Sequence, residues 1–193
     1  QAGIGWVGTR NSNHAGAASV YVAMAAERGM IGLYGAVGSG NNLPPWGGLD
    51  PRLATNPIAV AIPSADGAPV VRDIATTVAS MGKIKTTAQR GEQMPEGWMV
   101  DKQGAPLTDP NRAGEGLLLP IGGYKGYALG LVVGLLAGTL NGAAMGEDVV
   151  DMNRNPGRMT NTGQFICAID PSVFGDAAQI AARVAGVAAE MRG

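Results

Sequence analysis

The sequence predicts a layered α/β domain, and three observations predict it. Strand-like and helix-like runs alternate along all 193 residues, no internal repeat divides them, and no clean linker separates them. That length buries a substantial core, so residues 1–193 are expected to form a single domain with room for a small lobe. Only 2 phenylalanines are present, so the core must come from Ala, Val, Ile, Leu and Met, while 31 glycines imply close backbone contacts and many turns.

"IGWVG", residues 4 to 8, reads as a strand, and "AGAASVYVAMAAERG" at 15 to 29 reads as a helix closed by Gly29. A second strand, "MIGLYGAV", follows at 30 to 37. The connection "GSGNNLPPWGGLDPRLATNP" at 38 to 57 is too long to be a mere link and points to function, with Trp46 arguing for order. "IAVAIPS" (58 to 64) and "PVVRDIAT" (69 to 76) alternate as strands around the turn "ADGA". A short helix is expected at 76 to 82, and "MVDKQGAPLTDP" is hairpin-like and polar. A long helix opens near residue 124, "GQFICAIDP" is a last strand, and "VFGDAAQIAARVAGVAAEMRG" a last amphipathic helix.

Gly126 to Gly146 is a run of 21 residues without charge, long enough to span a bilayer. Glycines at 130, 134, 138, 142 and 146 form one smooth helix face that admits another backbone or a flat ligand. With no second apolar span, and Asn141 interrupting this one, a buried packing helix is the expectation.

Charged residues make up 15% and the net charge is -1, so no basic field favours nucleic acid or an anionic membrane. The single cysteine, Cys167, lies in the apolar "FICAI" and reads as a buried inert thiol of a reducing compartment. No basic segment precedes an apolar one at the start, so a cytoplasmic location is expected. The chain starts at Gln1, which suggests a processed product or a fragment.

"GIGWVG", Gly3 to Gly8, matches G-x-G-x-x-G but lies inside a strand-like run and leads to the polar "TRNSN" rather than to a helix. Its acidic residue about twenty positions on could only be Glu27, within a helix, so the match reads as a decoy. No phosphate-binding G-x-x-x-x-G-K-[ST] occurs, and one histidine with one cysteine makes no ordinary zinc site, so no metal is expected.

His14, in "RNSNHAGAAS", is the only histidine. With Asn13 or Ser12 as N-cap it would open a helix whose free N–H groups attract anions. A substrate carboxylate docked there would let the ring exchange a proton with the neighbouring oxygen, the chemistry of a 2-hydroxy or 2-oxo acid. A capping or core histidine is the competing reading. A Ser-His-Asp hydrolase using Ser12 or Ser39 with Asp73 lacks the G-x-S-x-G elbow. "GGYKG", Gly122 to Gly126, sets Lys125 beside exposed N–H groups and suits phosphate or carboxylate, against an ordinary lysine at a helix end.

Taken together, "NSNHAGAASVYVAMAAERGMIG", "PPWGG", "TNPIAVAIP", "VVRDIATTVASMGKI", "MPEGWMVDKQGAPLTDP" and "LLPIGGYKGYALGLVVGLLAGTLNGA" closely resemble the malate/L-lactate dehydrogenase family of the L-sulfolactate dehydrogenase type. That family includes ureidoglycolate dehydrogenase, diketogulonate reductase and a cyclic-imine reductase, all using NAD or NADP. The resemblance implies a non-Rossmann, three-layer α/β/α nucleotide domain with a mixed sheet of about seven strands, and a homodimer. It assigns His14 as acid/base, Asp73, Ile74 and Ala75 as cofactor contacts matching "D-x-A-T", and Gly123, Tyr124 and Lys125 as those matching "GG-x-KG". The implied reaction is hydride transfer between nicotinamide C4 and the C2 of a small 2-hydroxy or 2-oxo acid.

Three departures qualify the match. Where the family has "TNT" or "TNS" after the second strand this chain has "AVG" at 36 to 38, leaving Ser39 as the nearest cofactor hydroxyl. The family's N-terminal region, about a hundred residues with an "SHG-x-x-R" motif, and its C-terminal "PGE" contact are not in this sequence. Without that arginine a substrate carboxylate would be poorly oriented. The resemblance therefore leaves two expectations: an oxidoreductase completed by a further or companion polypeptide, or a catalytically incomplete nucleotide-binding or assembly module of the same fold.

Overall fold

Alternation along one strand sets the architecture. In β2 (Ile31–Ala36), Tyr34 and Ala36 share a core with Ala18, Val22, Ala59 and Ala61, whereas Leu33 packs with Val37, Val133, Ala137 and Phe165. A strand apolar on both sides needs a helix on each. Helix α1 (Ala18–Ala26) covers the first face and α3 (Tyr124–Ala137) the second, which makes three layers.

The computed structural model, describing residues 2–193, orders this sheet β1-β7-β2-β3-β4, where β1 is Ile4–Ser12, β3 Ile58–Ile62, β4 Val70–Ile74 and β7 Thr162–Ile169. The strands divide five and two, and each pairing is antiparallel. The pair β5 (Met99–Val100) and β6 (Leu117–Leu118) belongs to a lobe with helix α2 (Met81–Gln89) and its own core of Ile84, Met94, Met99, Leu107 and Leu118. Of the "GIGWVG" glycines, Gly5 and Gly8 sit on the edge strand β1 and Gly3 just ahead of it, and none opens a helix.

Three element boundaries differ from expectation. Helix α1 begins at Ala18, because Gly16 adopts φ +82 and Ala17 is extended. Ser12 is the last residue of β1 and Asn13 lies outside the helix, so neither caps it. The helix expected at 76 to 82 is Met81–Gln89, capped by Ser80. Residues before it are held extended by Thr76 N donating to Thr55 O and Val78 N to Leu119 O. The long uncharged run is a helix only to Ala137. Asn141 Nδ2 donates to Leu136 O, Ala137 O and Gln164 O, folding the following turn back onto β7. Among the described residues no helix is long and apolar enough to cross a membrane.

The glycine face of α3 is filled by the protein itself. A Cβ on Gly130 would stand 2.7 Å from Thr76 Oγ1, and one on Gly134 2.7 Å from Asn56 Nδ2. Cys167 is buried on β7, and burial pushes its thiol pKa up. The long loop after β2 is ordered by paired backbone bonds between Leu43 and Leu53, both buried. Helix α4 (Ala177–Glu190) closes the chain, with Ala65 N donating to Ala181 O.

Candidate functional site

His14 lies exposed in the segment between β1 and α1. With Ala17 at the N-cap, α1 has no cap of its own, and Asp73 at the end of the edge strand β4 takes over that task. Its Oδ2 accepts from Ser19 N at 2.7 Å, which draws the end of β4 to the start of α1. Tyr21 Oη donates to Ala15 O at 2.7 Å, and its ring stacks on Tyr34 at 5.0 Å. Burial, then the neighbouring Tyr21 and Asp73, push the Tyr34 pKa up to about 12. The Tyr34 contribution is whole below pH 10.0, the unfolded value, and is lost as pH rises through about 12.

The start of α3 meets the same corner. Ile121 N donates to Thr76 O at 3.0 Å and Thr77 bridges Pro120, so "DIATT" runs beside "PIGGYKG". Gly122 and Gly123 take φ +58 and +66, which side chains rarely adopt. No side chain caps the first turn of this helix, which carries the exposed Lys125. Trp46 forms the wall: it meets Tyr124 edge-on at 6.1 Å and would lie 3.2 Å from a Cβ on Gly123. Thr76 and Thr77 thus adjoin Pro120 and Ile121, just ahead of Gly123, Tyr124 and Lys125, while Asp73 joins the His14 segment through Ser19.

Ser39 is placed differently. Its Oγ donates to Val150 O at 3.2 Å and accepts from Met152 N at 3.0 Å. It lines a separate cavity of about 660 Å³ with Asn41, Asn42, Lys85, Lys102 and Asp151. Ser12 Oγ donates to Asn13 O, and among the described residues neither serine is hydrogen-bonded to His14, so no hydrolase relay forms.

Two residues passed over in the sequence hold the site together. Asn56 is fully buried at φ +26, accepting from Gly38 N at 3.1 Å and donating to Gly130 O at 2.9 Å. Thr76 is equally buried and donates to Thr55 O at 2.9 Å. "TNP" before a strand was the available signal, since asparagine tolerates such backbone better than most residues.

A family model described as malate/L-lactate dehydrogenase matches residues 1–193. The L-sulfolactate dehydrogenase of Methanothermobacter thermautotrophicus is 43% identical over 185 residues, covering 94% of this chain and 52% of that protein. Among solved structures, sulfolactate dehydrogenase from Methanocaldococcus jannaschii superposes with a TM-score of 0.86 at 36% identity, covering 97% of this chain and 54% of that one. The Δ1-piperideine-2-carboxylate reductase from Pseudomonas syringae gives 0.89 at 35% identity, covering 100% and 57%. The chain spans about half the length of the relatives it matches.

Proposed function

The chain belongs to the malate/L-lactate dehydrogenase family, and on that premise we propose that it is the nucleotide-binding part of an oxidoreductase moving a hydride between NAD or NADP and a small 2-hydroxy or 2-oxo acid. The observation that carries this reading is that one short segment, Asp73 to Thr77, is tied both to the start of α1 and to the residues that lead into α3. We place the dinucleotide along that segment. The first turn of α3 with Lys125 suits a pyrophosphate, and the bare Gly122, where a Cβ would meet nothing within 4 Å, allows close approach. Asp73, Ile74, Ala75 and Tyr124 would line the remainder.

When bound, the nicotinamide supplies hydride chemistry at its C4. His14 has the complementary task of holding a proton on an imidazole nitrogen: it gives the proton to the substrate's C2 oxygen in reduction and takes it back in oxidation. Ser39, which lines the separate cavity, is kept as the proposed cofactor hydroxyl. A homodimer or a companion polypeptide would complete the substrate side.

A second reading keeps the same fold as a nucleotide-binding or assembly module without turnover. Oxidation of reduced nicotinamide with a panel of 2-oxo acids and cyclic imino acids separates the two. His14→Ala is expected to lower turnover by about 10²–10⁴-fold while nicotinamide binding, read by fluorescence, changes less than about twofold. Turnover unchanged in that variant removes His14 from the mechanism. Binding without turnover in the parent chain selects the module.

A further inference from the structure

Three consecutive residues ahead of His14 are gripped by three consecutive residues that enter β7. Asn11 N donates to Asn161 Oδ1 at 2.9 Å, and Thr160 Oγ1 and Thr162 Oγ1 each donate to Ser12 O at 2.7 Å. The same hydroxyl oxygens lie 2.6 Å from Asn13 Oδ1 and 3.1 Å from Asn13 O. A hydroxyl carries one proton, so both are committed to Ser12 and Asn13. The two threonines are 2% and 1% exposed, which shields these bonds from water.

Backbone geometry marks the same place. The pairing of β1 with β7 slips between Thr9 and Ser12, a bulge of the kind that re-aims a strand's following residue. Asn11 and Asn161 take φ +55 and +45, left-handed backbone that asparagine adopts more readily than most residues and that turns the chain here. Ala144 N donates to Asn161 O at 2.8 Å and anchors the middle of the clip. Beyond His14, Tyr21 Oη holds Ala15 O and Asp73 holds Ser19 N. The exposed imidazole is thus flanked on both sides by tethered backbone.

We propose that Thr160 and Thr162 are positioning residues for His14, their buried hydroxyls fixing Ser12 and Asn13 and thereby aiming the imidazole. The proposal deepens the reading above and rests on His14 as the proton-transfer group, for which small misplacements are costly. A strand-to-helix connection with no task beyond connecting needs no pair of buried donors on one carbonyl.

His14 is the only histidine, so its imidazole gives a single Hε1–Cε1 cross-peak in the 193-residue chain. Thr160→Val and Thr162→Val keep the shape and remove the donor. Each is expected to shift or broaden that peak, as the ring samples more than one orientation. Thr160→Ser and Thr162→Ser, which keep the hydroxyl, restore the parent peak. An unchanged peak in both valine variants, or serine variants that behave like valine, overturns the proposal. If the valine variants do not fold, the parent chain decides: contacts from the Thr160 and Thr162 hydroxyl protons to the Asn13 Hα support the clip, and their absence overturns it. These signals need no turnover. The clip can therefore fail while His14→Ala still abolishes activity, or hold while His14 proves dispensable.

Discussion

Helices α3 and α4 have the same length, 14 residues, and are both built largely of small and aliphatic residues, yet they are stabilised in opposite ways. Helix α4 is locally self-sufficient. Asp176 Oδ1 caps it by accepting from Ala178 N at 2.8 Å and Gln179 N at 3.1 Å, and none of its residues is fully buried. Helix α3 starts on bare Gly123 and buries Gly126, Gly130 and Gly134 against neighbouring segments. The lesson is that a residue type carries no fixed meaning. Gly186 in α4 faces open space and only weakens its helix, whereas the α3 glycines are the reason that helix can lie on Thr76 and Asn56. The uncapped end of α3 also leaves donors free where α4 has spent its own.

The largest test of this contrast is Gly126→Ala. Its methyl would strike the Ile121 carbonyl oxygen and stand 2.7 Å from Ile121 N, backbone atoms that cannot swing away. Overpacking of this kind is expected to cost about 2–3 kcal/mol and lower Tm by roughly 5–10 °C in a thermal melt. A neutral result would erase the distinction between the helices. Asp176→Ala should cost about 1 kcal/mol in urea unfolding by removing the α4 cap, with nicotinamide binding unchanged. The smallest effect has the opposite sign: Gly186→Ala is expected to raise stability by about 0.5–1 kcal/mol, since the added methyl meets nothing.

Much of the layered body was legible in the order of the chain. The strands at 4, 30, 58, 69 and 163 and the amphipathic last helix follow from short-range alternation and turn residues, and each is present. The slip at 76 to 82 has a definite cause: Thr76 and Val78 bond to Thr55 and Leu119, partners far away in sequence. The sequence singles out the His14 segment, but the cap expected there, Asn13 or Ser12, does not form. The start of α1 is satisfied by Asp73, 54 positions later in the chain. Likewise Thr160 and Thr162 look like ordinary strand residues until β1 is laid beside β7.

By itself the sequence determined the α/β class, the family likeness, the weak charge, and which segments carry the imidazole, Asp73 and Lys125, because these depend on composition and on periods a few residues long. Only the tertiary structure decided that Asp73 reaches the start of α1 while Thr76 and Thr77 reach the residues ahead of α3, that Ser39 lines a cavity of its own, that the glycine face packs inward, and that two buried threonines hold the histidine loop. Such facts arise from hydrogen bonds and packing between residues as much as 150 positions apart, where no local pattern is present to be read.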